Sequence, residues 1–95
     1  MIQDCDYKLF LRQLGAQIQS VRKCRKLSQE ALAQKVGLDR VSIGYIEQGV
    51  RAPSMKTLLN IAIALNVDVS SLLQYPRATD RQQPQQSEDT APDYQ

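Results

Sequence analysis

A glycine between two short helical patterns constrains the fold of this chain more than any other feature. The stretch LSQEALAQKVGLDRVSIGYIEQG, residues 27–49, carries apolar residues at helical spacing on both sides of Gly37. Glycine readily adopts the left-handed conformation that ends a helix and turns the chain sharply. The stretch therefore predicts two helices whose crossing angle is set by the turn at Gly37.

Seven positions of this stretch agree with a helix-turn-helix unit that begins at Gln29. The fifth residue is Ala33, small enough to let two helices approach, and the ninth is Gly37. The other five are apolar and fall where helices crossing at about 90–120° share one interface. They are Leu32, Val36, Leu38, Ile43 and Ile46. Seven agreements within 18 residues predict a helix-turn-helix unit.

Capping residues divide the rest of the chain into further helices. The first helix is predicted from about residue 7 to residue 25, with Asp6 as its N-cap. Short polar residues that cap helix N-termini precede each of the other four predicted helices. These caps are Ser28, Asp39, Ser54 and Asp68. Gly37 ends the second helix, and Gly49 ends the third, which runs from Arg40 to about Gln48.

Apolar residues spaced three and four apart predict the buried faces of these helices. The first helix offers Tyr7, Phe10, Leu11, Leu14, Ile18 and Val21. The fourth offers Leu58, Leu59, Ile61, Ala62 and Leu65, and the short fifth offers Leu72 and Leu73. Because no alternating strand pattern and no internal repeat is present, the predicted fold class is all-α, a compact bundle of five helices.

The chemistry of the side chains excludes several classes of protein. The chain has no histidine, and its two cysteines, Cys5 and Cys24, are far apart, so zinc-finger spacings and histidine-dependent catalytic triads are excluded. It also lacks a glycine-rich phosphate loop and clustered carboxylates. We therefore expect no enzymatic activity, no metal and no cofactor, and we interpret both cysteines as ordinary small side chains.

Apolar stretches in the chain are short. The longest, residues 58–65, is interrupted by Asn60 and is much shorter than the roughly 20 residues of a membrane span. The first residues lack the charged and then apolar layout of a signal peptide. These patterns predict a cytoplasmic protein without a membrane partner.

Charge is unevenly distributed along the chain. Residues 76–95 contain two arginines and four acidic residues, a balance of −2, so residues 1–75 carry the remaining +4. We interpret residues 1–13 as an N-terminal extension with the start of the first helix, 14–75 as a helix-turn-helix domain, and 76–95 as a disordered acidic tail rich in Gln and Pro. A basic folded part is typical of nucleic-acid binders, although the basic cluster in residues 22–26 equally suits a stabilised helix end.

From about Leu14 to Leu73 the chain resembles the lambda-repressor-like DNA-binding domain of Cro and XRE regulators. The resemblance is carried by LSQEALAQKVGL, by IEQG and by APSMKTLLNIAIALNV. It implies that the third helix, residues 40–48, lies in the major groove of DNA, and that the start of the second lies over the phosphate backbone. The stretch GLDRVSIGYIEQGVRAPSMKTL is similar to restriction-modification controller proteins, and a phage-type repressor or Cro-like protein is equally compatible.

The resemblance also implies which residues contact DNA. The predicted base contacts are Arg40, Val41, Gly44 and Tyr45. Arg40 suits a guanine and Val41 a thymine methyl group, whereas Tyr45 could contact a base or a phosphate or only shield the helix. The predicted phosphate contacts are Ser28, Gln29, Arg51 and Lys56, of which the last two could also be ordinary surface charges. Arg22 and Glu47 are predicted to form an ion pair that holds the third helix against the first.

A single domain of this size buries little surface on DNA, so we expect a homodimer on a palindromic operator. The predicted dimer interface consists of Leu65, Val67, Leu72, Leu73 and Tyr75, with Tyr7, Phe10 and Leu11 as further candidates. Leu72 could instead complete the core. The alternative function is an antitoxin that neutralises a toxin and represses its own operon. The candidate protein partners are a toxin and a polymerase subunit.

Overall fold

Five helices make up the part of the chain that the structure describes, residues 3–73 of a computed structural model. They are α1 (Asp4–Cys24), α2 (Gln29–Val36), α3 (Arg40–Gln48), α4 (Met55–Leu65) and α5 (Val69–Leu72). No strand is present within residues 3–73, which confirms the predicted all-α, five-helix fold. Within the same range, no helix is long and apolar enough to cross a membrane. The predicted acidic tail lies outside the described residues.

The beginning of α1 differs from the prediction. Gln3 is the N-cap, and its backbone N–H donates to Oδ2 of Asp6 over 3.4 Å. Asp6 is therefore a first-turn residue of α1 that reaches back to the cap, and the prediction of Asp6 as the N-cap was wrong. An acidic side chain is stabilising at both positions, so composition alone could not separate them.

The predicted caps of the next three helices are confirmed. In each, the side-chain oxygen of the cap accepts a hydrogen bond from the backbone N–H three residues later. The pairs are Ser28 with Ala31 at 3.0 Å, Asp39 with Ser42 at 2.7 Å, and Ser54 with Thr57 at 3.1 Å. Gly37 and Gly49 end α2 and α3 with φ angles of 76° and 78°. Asp68 precedes α5 but contributes its backbone carbonyl oxygen, which accepts from the Ser71 hydroxyl at 2.7 Å.

The core is aliphatic and draws side chains from all five helices. Its completely buried large residues are Ile18, Leu32, Ile43, Ile61, Leu65 and Leu72. Each such side chain contributes about 1.5–3 kcal/mol through burial alone. Ala33 is also buried, as its predicted position at a helix crossing requires. Helix α3 packs against α1 and α2, whereas α4 packs mainly against α2 and α5.

Two residues of the predicted dimer interface belong to the core instead. Leu65 and Leu72 have no exposed surface within one copy of the chain, so neither side chain can contact a partner. Val67 and Leu73 are half-buried at the edge of the core, and Tyr75 lies outside the described residues. Burial of Leu65 and Leu72 in the core therefore removes both from the predicted interface.

Leu59 was predicted on or near the buried face of α4, and this prediction was wrong. Its side chain is 46% exposed, whereas the neighbouring Leu58 is buried. Leu59 lies outside the buried face of α4, which Leu58, Ile61, Ala62 and Leu65 form. An apolar residue at position 59 thus requires an explanation other than core packing.

Candidate nucleic-acid interface

One face of α3 points away from the rest of the protein. It carries the four residues predicted to contact bases, Arg40, Val41, Gly44 and Tyr45. Their spacing puts them on adjacent turns of one helix face, while Ile43, Ile46 and Glu47 form the buried face. Val41 is 52% exposed and Tyr45 40%, so both apolar surfaces are open to a large partner.

Arg51 is attached to this face by two contacts. Its Nη1 donates to the Ser42 hydroxyl over 3.1 Å, and its guanidinium lies 5.3 Å from the centre of the Tyr45 ring. The second distance is typical of a cation–π interaction. Arg51, a predicted phosphate contact, is therefore held beside α3 although it follows the helix. The part played by Ser42 was missed, because the turn at Gly49 brings the two residues together and leaves no periodic signal.

The carboxylate of Glu47 holds the buried side of α3 against α1 and α2. The predicted ion pair is present: Arg22 Nε lies 2.6 Å from Glu47 Oε2, and Arg22 Nη2 donates to Oε1 over 3.2 Å. Arg22 Nη1 also donates to the Leu27 carbonyl oxygen over 2.7 Å. Both charged side chains are almost completely buried, at 8% and 1% exposure. Such a pair positions α3 strongly, because removal of one partner leaves the other charged and buried.

Two glutamines add to the same carboxylate. Gln19 Nε2 in α1 and Gln29 Nε2 in α2 donate to Glu47 Oε1 over 3.3 and 3.0 Å. Glu47 thus connects α1, α2 and α3. Gln29 was predicted as a phosphate contact, and its amide is half-buried and directed to Glu47 in this structure. Gln19 was missed because it lies 28 residues from Glu47 in the sequence and follows no pattern.

The first turn of α2 is joined to α3 by the hydrogen bond from Gln29 to Glu47. The Ser28 side chain is exposed and accepts the backbone N–H of Ala31. The other first-turn N–H groups of a helix have no acceptor within the helix, and the helix dipole makes this end attractive to anions. Lys56, the last predicted phosphate contact, is exposed in the first turn of α4.

The basic cluster of residues 22–26 is divided between two roles. Arg22 binds Glu47, and Arg25 caps the end of α4, donating from Nε to the Leu65 carbonyl oxygen over 2.8 Å and from Nη2 to that of Asn66 over 3.2 Å. Lys23 and Lys26 remain exposed. Two of the four basic side chains in residues 22–26 therefore make hydrogen bonds within the protein.

Charge is also arranged at the beginning of α3. The backbone and side-chain groups of Ser42 hold the pKa of Asp39 below its usual value, because they donate hydrogen bonds to the carboxylate, and the Arg51 charge acts in the same direction. Asp39 is therefore ionised at neutral pH, next to the exposed Arg40. The anionic cap stabilises the start of the helix whose outer face is presented to solvent.

Comparison with known proteins identifies relatives of the chain. The sequence model of the family described as Helix-turn-helix, HTH_3, matches residues 18–72. The ImmF control region 10 kDa protein of Bacillus phage phi105 is 41% identical over 61 residues, which are 64% of this chain and 68% of the phage protein.

Two solved structures share the fold. The restriction-modification controller protein C.AhdI from Aeromonas hydrophila is similar with a TM-score of 0.64 and 37% identity, over 65% of this chain and 94% of that protein. The P22 c2 repressor protein, in complex with a synthetic operator, is similar with a TM-score of 0.62 and 33% identity, over 64% of this chain and 92% of that one.

The matched residues include the turn and the ion pair that position α3. The range 18–72 contains Arg22, the turn at Gly37, the whole of α3 and Glu47. It covers more than half of the chain, and the relatives described above are a phage control-region protein, a restriction-modification controller protein and a repressor. The chain belongs to the Cro/XRE-type helix-turn-helix family of DNA-binding transcriptional regulators.

Proposed function

We propose that this protein binds a palindromic DNA operator as a homodimer, without a cofactor, and that α3 enters the major groove. The observation that carries the proposal is the outer face of α3. It presents an arginine, a β-branched residue, a glycine and a tyrosine to solvent, while Glu47 fixes the opposite side of the helix. A helix that is held rigidly from behind can keep base-contacting side chains in register with a groove.

Within this proposal the four residues of α3 have different partners. Arg40, in the first turn, donates two hydrogen bonds to O6 and N7 of a guanine, a contact that contributes about 1–3 kcal/mol of discrimination. Val41 contacts the methyl group of a thymine. Gly44 allows the DNA to approach closely, and Tyr45 contacts a base or the adjacent sugar-phosphate.

The phosphate contacts come from both ends of the helix-turn-helix unit. At one end, the first turn of α2 offers backbone N–H groups together with Ser28 and Gln29. At the other end, Arg51 is held in place by Ser42 and Tyr45, so little side-chain entropy remains to be lost when it binds a phosphate. Lys56 adds a further charge. Each neutralised phosphate steepens the dependence of affinity on salt by about 0.9 in a double-logarithmic plot.

Two copies are proposed because one recognition helix reads only a few base pairs. A two-fold dimer places two α3 helices about 34 Å apart, one turn of DNA, on a palindrome. The antitoxin alternative depends on the acidic tail, which lies outside the described residues, and no observation on residues 3–73 favours it. A protein partner, toxin or polymerase subunit, is accordingly not part of this proposal.

Selection of bound sequences from a random duplex library tests the proposal. Wild type, Arg40→Ala and Lys23→Ala are compared at near-physiological salt; the last variant removes one exposed charge from a helix other than α3. We expect wild type and Lys23→Ala to select the same palindrome, and Arg40→Ala to lose the preference for one guanine in each half-site. Salt-sensitive binding without any motif, identical in the three proteins, would contradict the proposal.

A further inference from the structure

Helix α4 exposes a stripe of apolar side chains that no part of residues 3–73 covers. Met55, Leu59 and Ile63 are 68%, 46% and 76% exposed and follow one another at intervals of four residues. The buried face of the same helix is already complete without them. Lys56 is the only charged residue of α4, so the stripe is uninterrupted by charge. A contiguous exposed apolar patch of this kind marks an interaction surface.

The stripe continues into an apolar groove at its Met55 end. The groove has a volume of about 290 Å³ and is lined by Tyr7 and Phe10 of α1, by Met55 and by Leu73, among others. Tyr7 and Phe10 precede the part of the chain that the family matches, residues 18–72. The first turns of α1 thus lie outside that matched range, and they extend the stripe (Met55, Leu59, Ile63) sideways into a larger apolar face.

We propose that a second copy of this chain covers the stripe, with the two α4 helices antiparallel about a two-fold axis near Leu59. The stripe is self-complementary, since Met55 and Ile63 lie four residues on either side of Leu59. A two-fold axis brings Met55 of one copy against Ile63 of the other, as an isologous interface requires. Rows of residues four apart interdigitate when two helices cross at about −50°, the commonest packing class in globular proteins.

The groove receives the other end of the stripe in this arrangement. Ile63 of the second copy arrives beside Met55, and Val67, half-buried beyond the end of α4, follows it toward the groove. Phe10 and Tyr7 then pack against the second copy. The inference rests on the proposed function, because a palindromic operator requires two copies. It replaces the core residues Leu65 and Leu72 of the predicted interface with exposed ones.

This pairing leaves the proposed DNA-binding face open. The base-contacting residues lie on α3, which packs against α1 and α2, and none of them belongs to the stripe. The stripe itself carries no charge: Lys56 lies beside it in the first turn of α4, and Asp68 lies at its other end, on the surface that Ile63 and Val67 share. Dimerisation and base contact are therefore assigned to separate surfaces that separate variants can disrupt, whereas Lys56, a proposed phosphate contact, lies beside the stripe.

Sedimentation equilibrium of the full chain without DNA tests the interface. We compare wild type with Leu59→Glu and Ile63→Glu; Val50→Glu is the matched control, because Val50 is an equally exposed apolar residue, at 69%, outside the stripe. The two stripe variants are expected to weaken the dimer on the order of 100-fold, and the control to leave it unchanged. Dimers of wild-type strength from both stripe variants would overturn the inference.

A cross-linking experiment keeps the inference testable if a glutamate variant fails to fold. In a background of Cys5→Ser and Cys24→Ser, the two exposed native thiols are absent. Leu59→Cys, next to the two-fold axis, is expected to form a disulfide-linked dimer on mild oxidation, whereas Val50→Cys is expected to remain a monomer on denaturing gels. Equal cross-linking at the two positions would overturn the proposed pairing.

DNA binding separates failure of this inference from failure of the proposed function. If the stripe mediates the dimer, Leu59→Glu loses tight binding to the selected palindrome but keeps the weak binding of a single half-site. A wild-type dimer that is broken by Leu59→Glu, but that selects no DNA sequence, would refute the proposed function and support the interface. Sequence-selective DNA binding by a Leu59→Glu protein that is still dimeric would refute the interface alone.

Discussion

Gly15 of α1 lies directly against the backbone carbonyl group of Glu47 in α3. A Cβ atom at position 15 would collide with this carbonyl oxygen and with that of Ile46. The two helices are therefore in backbone contact, and their separation depends on the missing side chain. Together with the Glu47 carboxylate, which binds Arg22, Gln19 and Gln29, this contact determines where the outer face of α3 stands.

Replacing Gly15 with alanine tests this contact. Alanine is about 1 kcal/mol better than glycine in a helix, but its Cβ must displace backbone rather than a flexible side chain. We expect a net loss of about 2 kcal/mol in the free energy of unfolding, within the range measured for overpacked cores. Urea unfolding checks this, with Ser20→Ala on the exposed side of α1 as the control. A Gly15→Ala protein as stable as the control would show that the helices can separate freely.

Glu47 and Arg22 are predicted to depend on each other. Glu47→Gln removes one charge and leaves the Arg22 guanidinium buried without its carboxylate, so we expect a loss of about 3 kcal/mol in the free energy of unfolding. The double variant Arg22→Met/Glu47→Leu removes both charges and is expected to recover most of that loss. A double-mutant cycle in denaturant measures the coupling. Additive losses in the double variant would mean that the two charges do not stabilise each other.

Gly44 is predicted to limit stability in favour of DNA binding. A Cβ at position 44 would approach no atom more closely than Gln29 Nε2, at 3.9 Å, and the φ angle is an ordinary helical one. Packing therefore does not require glycine, and Gly44→Ala is expected to gain up to about 1 kcal/mol in stability. On the proposed function, the added methyl group weakens binding to the selected operator. Thermal unfolding and operator titration are the two measurements, and unchanged affinity in a stabilised variant would remove Gly44 from the proposed contact surface.

Acid is predicted to weaken the N-terminal cap of α3. Hydrogen bonds from Ser42 hold the pKa of Asp39 below its usual value of 3.8, so the folded state binds this proton less readily than the unfolded state. The contribution of the carboxylate is complete above that usual value and is lost as the pH falls through the lowered pKa. Asp39→Ala should therefore have a lower melting temperature than wild type at about pH 7, and the difference should shrink toward about pH 3. A difference that is independent of pH would assign the effect to something other than the ionised cap.

Local signals were sufficient for α2, α3 and α4 and for their ends. The caps Ser28, Asp39 and Ser54 accept a hydrogen bond from a backbone N–H only three residues away. A contact over so short a distance in the chain can be predicted from the residue type and its position. The helix ends at Gly37 and Gly49 could also be predicted, because the left-handed conformation depends on the type of a single residue. The Arg22–Glu47 pair was predicted through resemblance and not through spacing.

Other features depended on which surfaces meet. Leu59 and Leu65 are both leucines among apolar neighbours in the sequence, yet Leu59 is exposed and Leu65 is completely buried. The positions of α2 and α5 decide which side of α4 is covered. The contact of Gly15 with Glu47 likewise exists only where two helices cross. The amino-acid sequence by itself determined the five helices, the side-chain caps of α2, α3 and α4, and the turn at Gly37, since these are interactions within a few residues. Tertiary structure alone decided the exposure of Leu59, the glutamines on Glu47 and the apolar stripe of α4, since these depend on residues brought together from distant parts of the chain.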